Sequence, residues 1–154
     1  MADATPIDPT ATTQDERTMA VLAHVLQLVG GWIGPLVIFL IKRQSRFVSF
    51  HALQVLFLHL ACVVVAAVLV AGGFISFLLA IALHHGANNA PPLGIFILFP
   101  LLWLGFIVTW AVTVVIAIVY GIKAGRGEWA EYPVFGRLAR RVLQIGPGGA
   151  PVQA

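Results

Sequence analysis

The sequence predicts an all-α integral membrane protein with three transmembrane helices and a C-terminal amphipathic interfacial helix. Of its 154 residues, 60% are hydrophobic and only 10% are charged, against about 25% charged in an ordinary soluble domain. No charged residue occurs in 18–41 or in 47–122. Basic residues flank these apolar stretches, as they do beside transmembrane helices. These observations exclude a water-soluble globule.

The N-terminal residues 1–13 are predicted to form a disordered tail, because they are mostly Ala, Asp, Thr and Pro. They lack the basic start and short apolar core of a signal peptide. Thr13 and Glu16 have the spacing of a capping box, in which each satisfies a backbone amide of the other. The first helix is therefore predicted to begin near Gln14, at the start of a single membrane domain covering 14–145.

The first apolar block, 19–41, is long enough for one crossing of a hydrocarbon core about 30 Å thick. Glycines and Pro35 interrupt it at 30–35, because proline removes a backbone donor and glycine relaxes the helix. We predict one broken span. The alternative is a re-entrant hairpin that never crosses, which would bury its loosened backbone in protein.

The second and third spans are predicted at 50–72 and 101–120. Basic residues precede one and follow the other, so the positive-inside rule requires an even number of crossings between them. The leftover segment 73–99 is predicted to form an apolar hairpin in the outer interface. With three spans in the cell (plasma or inner) membrane, the N-terminus lies outside and the C-terminus is cytoplasmic.

An interfacial helix is predicted at 133–145. At about 100° per residue, apolar side chains fill one half of the helical wheel and basic ones the other. We expect the basic face to contact anionic lipid headgroups; the alternative is a tail docked on the protein's own loops. Residues 146–154 are predicted to be disordered. The basic residues concerned are Arg137, Arg140 and Arg141.

A ridge of small residues recurs every fourth position in the third apolar block. Small residues on one face let helix backbones approach closely. The sequence leaves open whether this ridge packs against another span of the same chain or forms a homodimer seam. Its members are Gly105, Thr109, Thr113, Ala117, Gly121 and Gly125.

Histidines are the polar residues of interest inside the predicted spans. His24 and His59 would ligate a haem or a metal if they faced each other; alternatively each bonds a neighbouring helix, for instance at Gln27 or Gln54. The single cysteine, Cys62, cannot form an internal disulfide. No reaction-specific constellation occurs, so we predict no catalytic residue, cofactor or metal.

Two motifs carry a family resemblance. Lys42-Arg43 with 47–54, and 122–129 with Tyr132-Pro133, resemble a domain-of-unknown-function family of small prokaryotic multi-span membrane proteins. That family is distantly similar to the twenty-kilodalton, Tic-type subunit of the chloroplast inner-envelope translocon. The resemblance covers about 15–143 and implies an integral membrane fold with the basic loop inside. The candidate functional or interface residues are Lys42, Arg43, Arg46, His51, Gln54, Glu128, Trp129 and Tyr132.

The predicted function is that of a non-enzymatic scaffold or accessory subunit, translocation-related by resemblance only. One alternative is an oligomeric channel or transporter component, and another is a redox protein with His-ligated haem or metal. The expected partners are the lipid bilayer with its anionic headgroups, and a second copy or another membrane protein. Nucleic acid is not expected, because the basic residues all flank apolar blocks.

Overall fold

A computed structural model describes residues 11–83 and 93–150. The predicted all-helical fold is confirmed for this part of the chain, which holds five α-helices and one short 3₁₀ turn. Residues 1–10 of the predicted N-terminal tail, the loop 84–92 and the last residues 151–154 lie outside the described residues. The helices are α1 (Gln14–Gly30), α2 (Ile33–Ile41), α3 (Arg46–Leu83), α4 (Leu93–Gly125) and α5 (Phe135–Leu143), followed by the turn Pro147–Gly149.

Helix α1 begins at the predicted capping box. The Glu16 amide donates to the Thr13 hydroxyl over 3.2 Å, and the Thr13 amide donates to the Glu16 carboxylate over 2.9 Å. These two bonds satisfy amides that the first helical turn leaves without partners.

Helices α1 and α2 fold back on each other as a hairpin. Gly31 ends α1 with φ +57°, a conformation that favours glycine. A Cβ added at Gly34 would lie 2.5 Å from Cβ of Leu26, so the two helices pack closely at that glycine. Pro35 falls in the first turn of α2, where no helical partner for its nitrogen is needed.

The two ends of this hairpin lie side by side. Lys42 Nζ is 2.6 Å from Oδ2 of Asp15, and the Ser45 hydroxyl donates to the Glu16 carboxylate over 2.7 Å. The chain therefore folds back to the point from which it started, and the predicted crossing at 19–41 is not confirmed. The hairpin has the form that the re-entrant alternative predicts, and the beginning of α1 lies beside the basic loop.

Helices α3 and α4 are longer than the predicted spans 50–72 and 101–120. The segment predicted as an outer hairpin, 73–99, is helical wherever the structure describes it. Gly73 and Pro100 do not end their helices, because a chain in lipid satisfies its backbone groups most readily within a helix. A Cβ at Gly73 would lie 3.2 Å from Leu102, so this glycine permits close approach of the two helices.

The described residues contain two helical stretches long and apolar enough to cross a membrane, Arg46–Ala82 and Phe96–Gly125. Most of their large apolar side chains are exposed, for example Val68 and Phe106. Such continuous apolar surface is suited to lipid and not to water. The protein is thus a membrane protein with two apolar helices of spanning length, and the predicted third span is not confirmed in the described part.

The chain divides into two compact units. The first contains residues up to His59 and from Val114 onward, and the second contains 60–113. In the first unit, α1, α3 and α4 meet in a buried cluster of Ala20, Phe47 and Ala124. This meeting point brings the charged beginning of α3 and the charged end of α4 together, and it frames the site described next.

Candidate functional site: a buried polar cluster

Among the described residues of the first unit, five polar side chains besides Tyr132 are no more than 3% exposed, although the surrounding helices are apolar. Buried polar groups are rare unless hydrogen-bonded. Four of them come from two copies of one pattern, a histidine followed three residues later by a glutamine, which places both side chains on one helix face. The pairs are His24 with Gln27 on α1 and His51 with Gln54 on α3.

The two histidines and Tyr132 form a hydrogen-bonded chain. His24 Nε2 lies 3.2 Å from Nδ1 of His51, and His24 Nδ1 lies 3.1 Å from the Tyr132 hydroxyl. His51 Nε2 lies 3.1 Å from the backbone carbonyl oxygen of Glu128. Helices α1 and α3 are thereby joined to the segment that follows α4.

The chemistry of its two ends fixes the direction of this chain. A carbonyl oxygen can only accept, so His51 Nε2 donates to Glu128. With neutral imidazoles, His51 Nδ1 must then accept from His24 Nε2, and His24 Nδ1 must accept from the Tyr132 hydroxyl. Every nitrogen of both rings has a partner, so none of the four is free to ligate a metal or a haem iron.

Gln54 holds the same segment by its backbone. Its Oε1 accepts from the Tyr132 amide over 2.6 Å, and its Nε2 donates to the Ala130 carbonyl over 3.2 Å. Together with the bond from His51 to Glu128, these contacts satisfy three backbone groups of 128–132. Side chains from α3 therefore replace the regular helical bonds that this segment lacks.

Trp129, which belongs to this segment, packs in an aromatic cluster with two phenylalanines of α3. Its ring centroid lies 5.2 Å from that of Phe47 and 5.5 Å from that of Phe50. Gly149 lies directly on the indole ring and leaves no room for a side chain. The C-terminal turn Pro147–Gly149 thus packs on Trp129, and the predicted disorder of 146–154 stays a prediction.

Burial favours the protonated form that a tyrosine already has at neutral pH, and Tyr132 lies outside the membrane helices. Loss of water raises the pKa of Tyr132 above its usual value. The hydroxyl therefore stays protonated at physiological pH and can donate to His24. The Gln27 amide is buried and meets no hydrogen-bond partner.

The structure places the predicted candidates in two locations. His51, Gln54, Glu128, Trp129 and Tyr132 lie together in the cluster, with Glu128 taking part through its backbone carbonyl. The three basic candidates lie elsewhere: Lys42 pairs with Asp15, and Arg43 and Arg46 are exposed.

Sequence reasoning missed the pairing of His24 with His51. It paired His24 with His59 instead, whereas in the structure His59 lies near the hairpin turn, with Nε2 3.9 Å from a Cβ position at Gly31. The repeated His-x-x-Gln pattern is the signal that would have matched His24 to His51. Among the described residues, no three His, Cys, Asp or Glu side chains converge as a metal-binding group.

The ridge of small residues divides between two surroundings. Its C-terminal part packs on α1, since a Cβ at Gly121 would lie 3.5 Å from Cβ of His24 and one at Gly125 would lie 3.3 Å from Val21. In the second unit, Gly105 and Thr109 line an open apolar groove beside Cys62.

Helix α5 is docked on the protein through the face that includes Arg140. This arginine pairs with Glu131, donates to the Gly146 carbonyl and lies over the Phe50 ring, with 5.2 Å between its guanidinium carbon and the ring centroid. These contacts inside the protein occupy the Arg140 guanidinium, whereas its predicted contact with lipid headgroups stays a prediction. Arg137 and Arg141 are exposed.

A known protein family matches most of this chain. Residues 15–139 match the MamF/MmsF family, described as the magnetosome magnetite crystal formation protein family. The chain belongs to this family. The matched region contains His24, His51, Gln54 and 128–132 of the MamF/MmsF chain, which is the whole hydrogen-bonded cluster.

The family match confirms one part of the predicted resemblance and leaves the other part unsupported. A small membrane-associated family is confirmed, but nothing supports the likeness to the chloroplast translocon subunit. No curated protein and no solved structure matches this MamF/MmsF chain.

Proposed function

We propose that this MamF/MmsF protein is a non-enzymatic component of the magnetosome membrane that acts in magnetite crystal formation. The observation that carries the proposal is the family match over 15–139, which spans both apolar helices and the buried cluster. The role described for the family supplies the process, and the apolar surface of α3 and α4 supports the membrane location.

The chemistry of the cluster supports a non-enzymatic role. His24, His51 and Gln54 are fully buried and Tyr132 is 2% exposed, so no substrate reaches them from water. Their polar atoms are engaged with one another or with the backbone of 128–132. The cluster therefore acts as a clamp that holds this segment against α1 and α3.

A genetic experiment tests the role in crystal formation. The gene is deleted in the magnetite-forming bacterium that carries it, and the strain is complemented with the wild-type chain or with His51→Leu. We expect the deletion to change the size or number of crystals seen by electron microscopy. We expect the wild-type chain to restore them and the His51→Leu chain to restore them poorly, since this variant releases Glu128 and His24.

The complementing chains carry a fluorescent tag, so that location and amount are measured in the same cells. Val68→Leu is the matched control, because Val68 lies on an exposed apolar face. Normal crystals in the deletion strain, or a wild-type protein found away from magnetosomes, would refute the proposal. Failure of His51→Leu at normal protein amount would show that the clamp itself is needed.

A further inference from the structure

The inner face of helix α5 packs against the rest of the protein. Gly136 and Ala139 are buried, and Ala139 packs in one cluster with Phe50 and Leu53 of α3. A Cβ at Gly136 would lie 2.7 Å from Glu131, so the helix sits as close as its backbone allows. These contacts anchor α5 through one face only, and its opposite face points away from them.

The outer face of α5 carries an exposed apolar ridge. Val134, Leu138 and Val142 recur every four residues, a spacing that aligns side chains along one side of a helix. Their exposed fractions are 66%, 42% and 56%. The small-residue side of α5 is thus buried while the larger apolar side chains point away from the protein.

Two arginines border this ridge. At about 100° per residue, Arg137 lies roughly 60° and Arg141 roughly 20° from Val134, on the side away from Val142. Both arginines are exposed, and none of the ion pairs formed by the described residues involves either, although Arg137 also donates to the Pro133 carbonyl one turn earlier. The outer face is therefore apolar along one side and positively charged along the other.

The position of α5 along α3 sets its depth. Phe50 and Leu53 follow the start of α3 at Arg46 by four and seven residues, which is about 6 and 10 Å along a helix. This part of α3 belongs to a stretch of membrane-spanning length. An interfacial helix inserts its apolar face to a similar depth, about 5–10 Å below the headgroups.

We infer that the outer face of α5 lies in the headgroup layer of the bilayer that α3 enters, with Arg137 and Arg141 bound to anionic lipid headgroups. The ridge of Val134, Leu138 and Val142 inserts among the upper acyl chains. A bilayer rich in anionic lipid offers the required pair of surfaces, one apolar and one negative, at this depth. The proposed function assigns no lipid-binding surface, so this inference goes beyond it. Two residues of the surface, Arg141 and Val142, also lie outside the residues matched to the family.

Lipid selectivity of the full chain tests the headgroup contact. The protein is reconstituted in nanodiscs containing phosphatidylglycerol and phosphatidylcholine, and the lipid retained after mild detergent extraction is counted by native mass spectrometry. A basic residue near an anionic surface contributes about 1 kcal/mol, so each arginine lost should lower the preference for phosphatidylglycerol roughly five-fold. Arg137→Gln/Arg141→Gln is the test variant, and we expect its preference to fall at low salt.

Two controls separate charge from folding. Arg137→Lys/Arg141→Lys keeps the charge and should keep most of the lipid preference. Thermal unfolding of both double variants should match the wild type, because the two side chains are exposed. A glutamine variant that folds normally and still selects phosphatidylglycerol would overturn the inference.

The depth of α5 in the bilayer is measured separately, in the same nanodiscs. In a Cys62→Ser background, Leu138→Cys is labelled with a polarity-sensitive fluorophore, and Arg43→Cys in the exposed basic loop serves as the control. We expect a nitroxide on the upper acyl chain to quench the label at residue 138 more strongly than the control. Quenching at 138 by aqueous iodide alone, or shielding from both quenchers as under a protein partner, would overturn the inference.

Discussion

The hydroxyl of Tyr132 lies 3.1 Å from Nδ1 of His24, although 108 positions separate them in the sequence. This bond begins the chain that runs through His51 to the Glu128 carbonyl. It ties the first helix to the segment after the last membrane helix. The buried polar cluster is thus the point at which distant parts of the first unit are held in register.

Replacing Tyr132 with Phe removes the donor at the start of this chain and keeps the ring. His24 Nδ1 is then a buried acceptor without a partner, which costs about 1–3 kcal/mol in the free energy of unfolding. The measurement is denaturant unfolding of the protein in detergent. Tyr120→Phe is the matched control, because Tyr120 donates to an exposed carbonyl at Glu131 and should lose less. Equal losses would contradict a special role for Tyr132.

The hairpin of α1 and α2 predicts opposite results for two neighbouring glycines. Gly34→Ala should lower stability by about 1–3 kcal/mol through overpacking, since its Cβ would press against Leu26. Gly30→Ala meets nothing within 4 Å and ends a helix, so it should be neutral or slightly stabilising. Thermal unfolding of both variants measures this difference. A broken straight span would make the two substitutions nearly equivalent.

The helical membrane fold and the capping box at Thr13 follow from local patterns, and the motif residues of the cluster follow from the family resemblance, which is why the sequence predicts them. The return of α2 does not, because a block of 23 residues fits either one crossing or a hairpin. What distinguishes the two folds is packing between distant positions, such as Gly34 against Leu26 and the buried contact of Ala23 with Ile38, which no local pattern encodes. The full length of α3 is likewise not predictable from the local sequence, since Gly72 and Gly73 weaken a helix without ending it in lipid.

The hairpin also predicts the topology of labelling sites. In a Cys62→Ser background, single cysteines at the exposed positions Gln14 and Gln44 should react from the same side of the membrane. The reason is the pairing of Asp15 and Glu16 with Lys42 and Ser45. Sealed vesicles of known orientation and a membrane-impermeant maleimide give the measurement. Reaction of Gln14→Cys and Gln44→Cys from opposite sides would restore the three-span arrangement.

Acidity should loosen the base of the hairpin through Glu16. Partial burial raises the pKa of Glu16, but hydrogen bonds from the Thr13 amide and from the Ser45 and Thr13 hydroxyls outweigh it and leave the pKa below its usual value. A lowered pKa stabilises the fold above the unfolded value of about 4.3, and this contribution is lost as the pH falls through the folded value. Thermal unfolding from pH 7 to pH 3 should show a smaller acid loss for Glu16→Gln than for wild type. Parallel curves would contradict the assignment.

The divided ridge on α4 separates internal packing from exposed surface within one helix. Gly121→Leu places a large side chain where a Cβ alone already lies 3.5 Å from His24, so it should force α4 away from α1 and cost about 1–3 kcal/mol. Gly105→Leu has nothing within 4 Å of its Cβ and faces an open groove, so stability should stay the same or rise through better helix propensity. Thermal unfolding and light scattering in detergent are measured on both variants. A loss of stability only at residue 121 supports packing on α1, whereas a shift in oligomeric state at residue 105 with unchanged unfolding would show that a second copy covers the groove. Equal destabilisation by the two leucines would mean that the ridge is packed along its whole length.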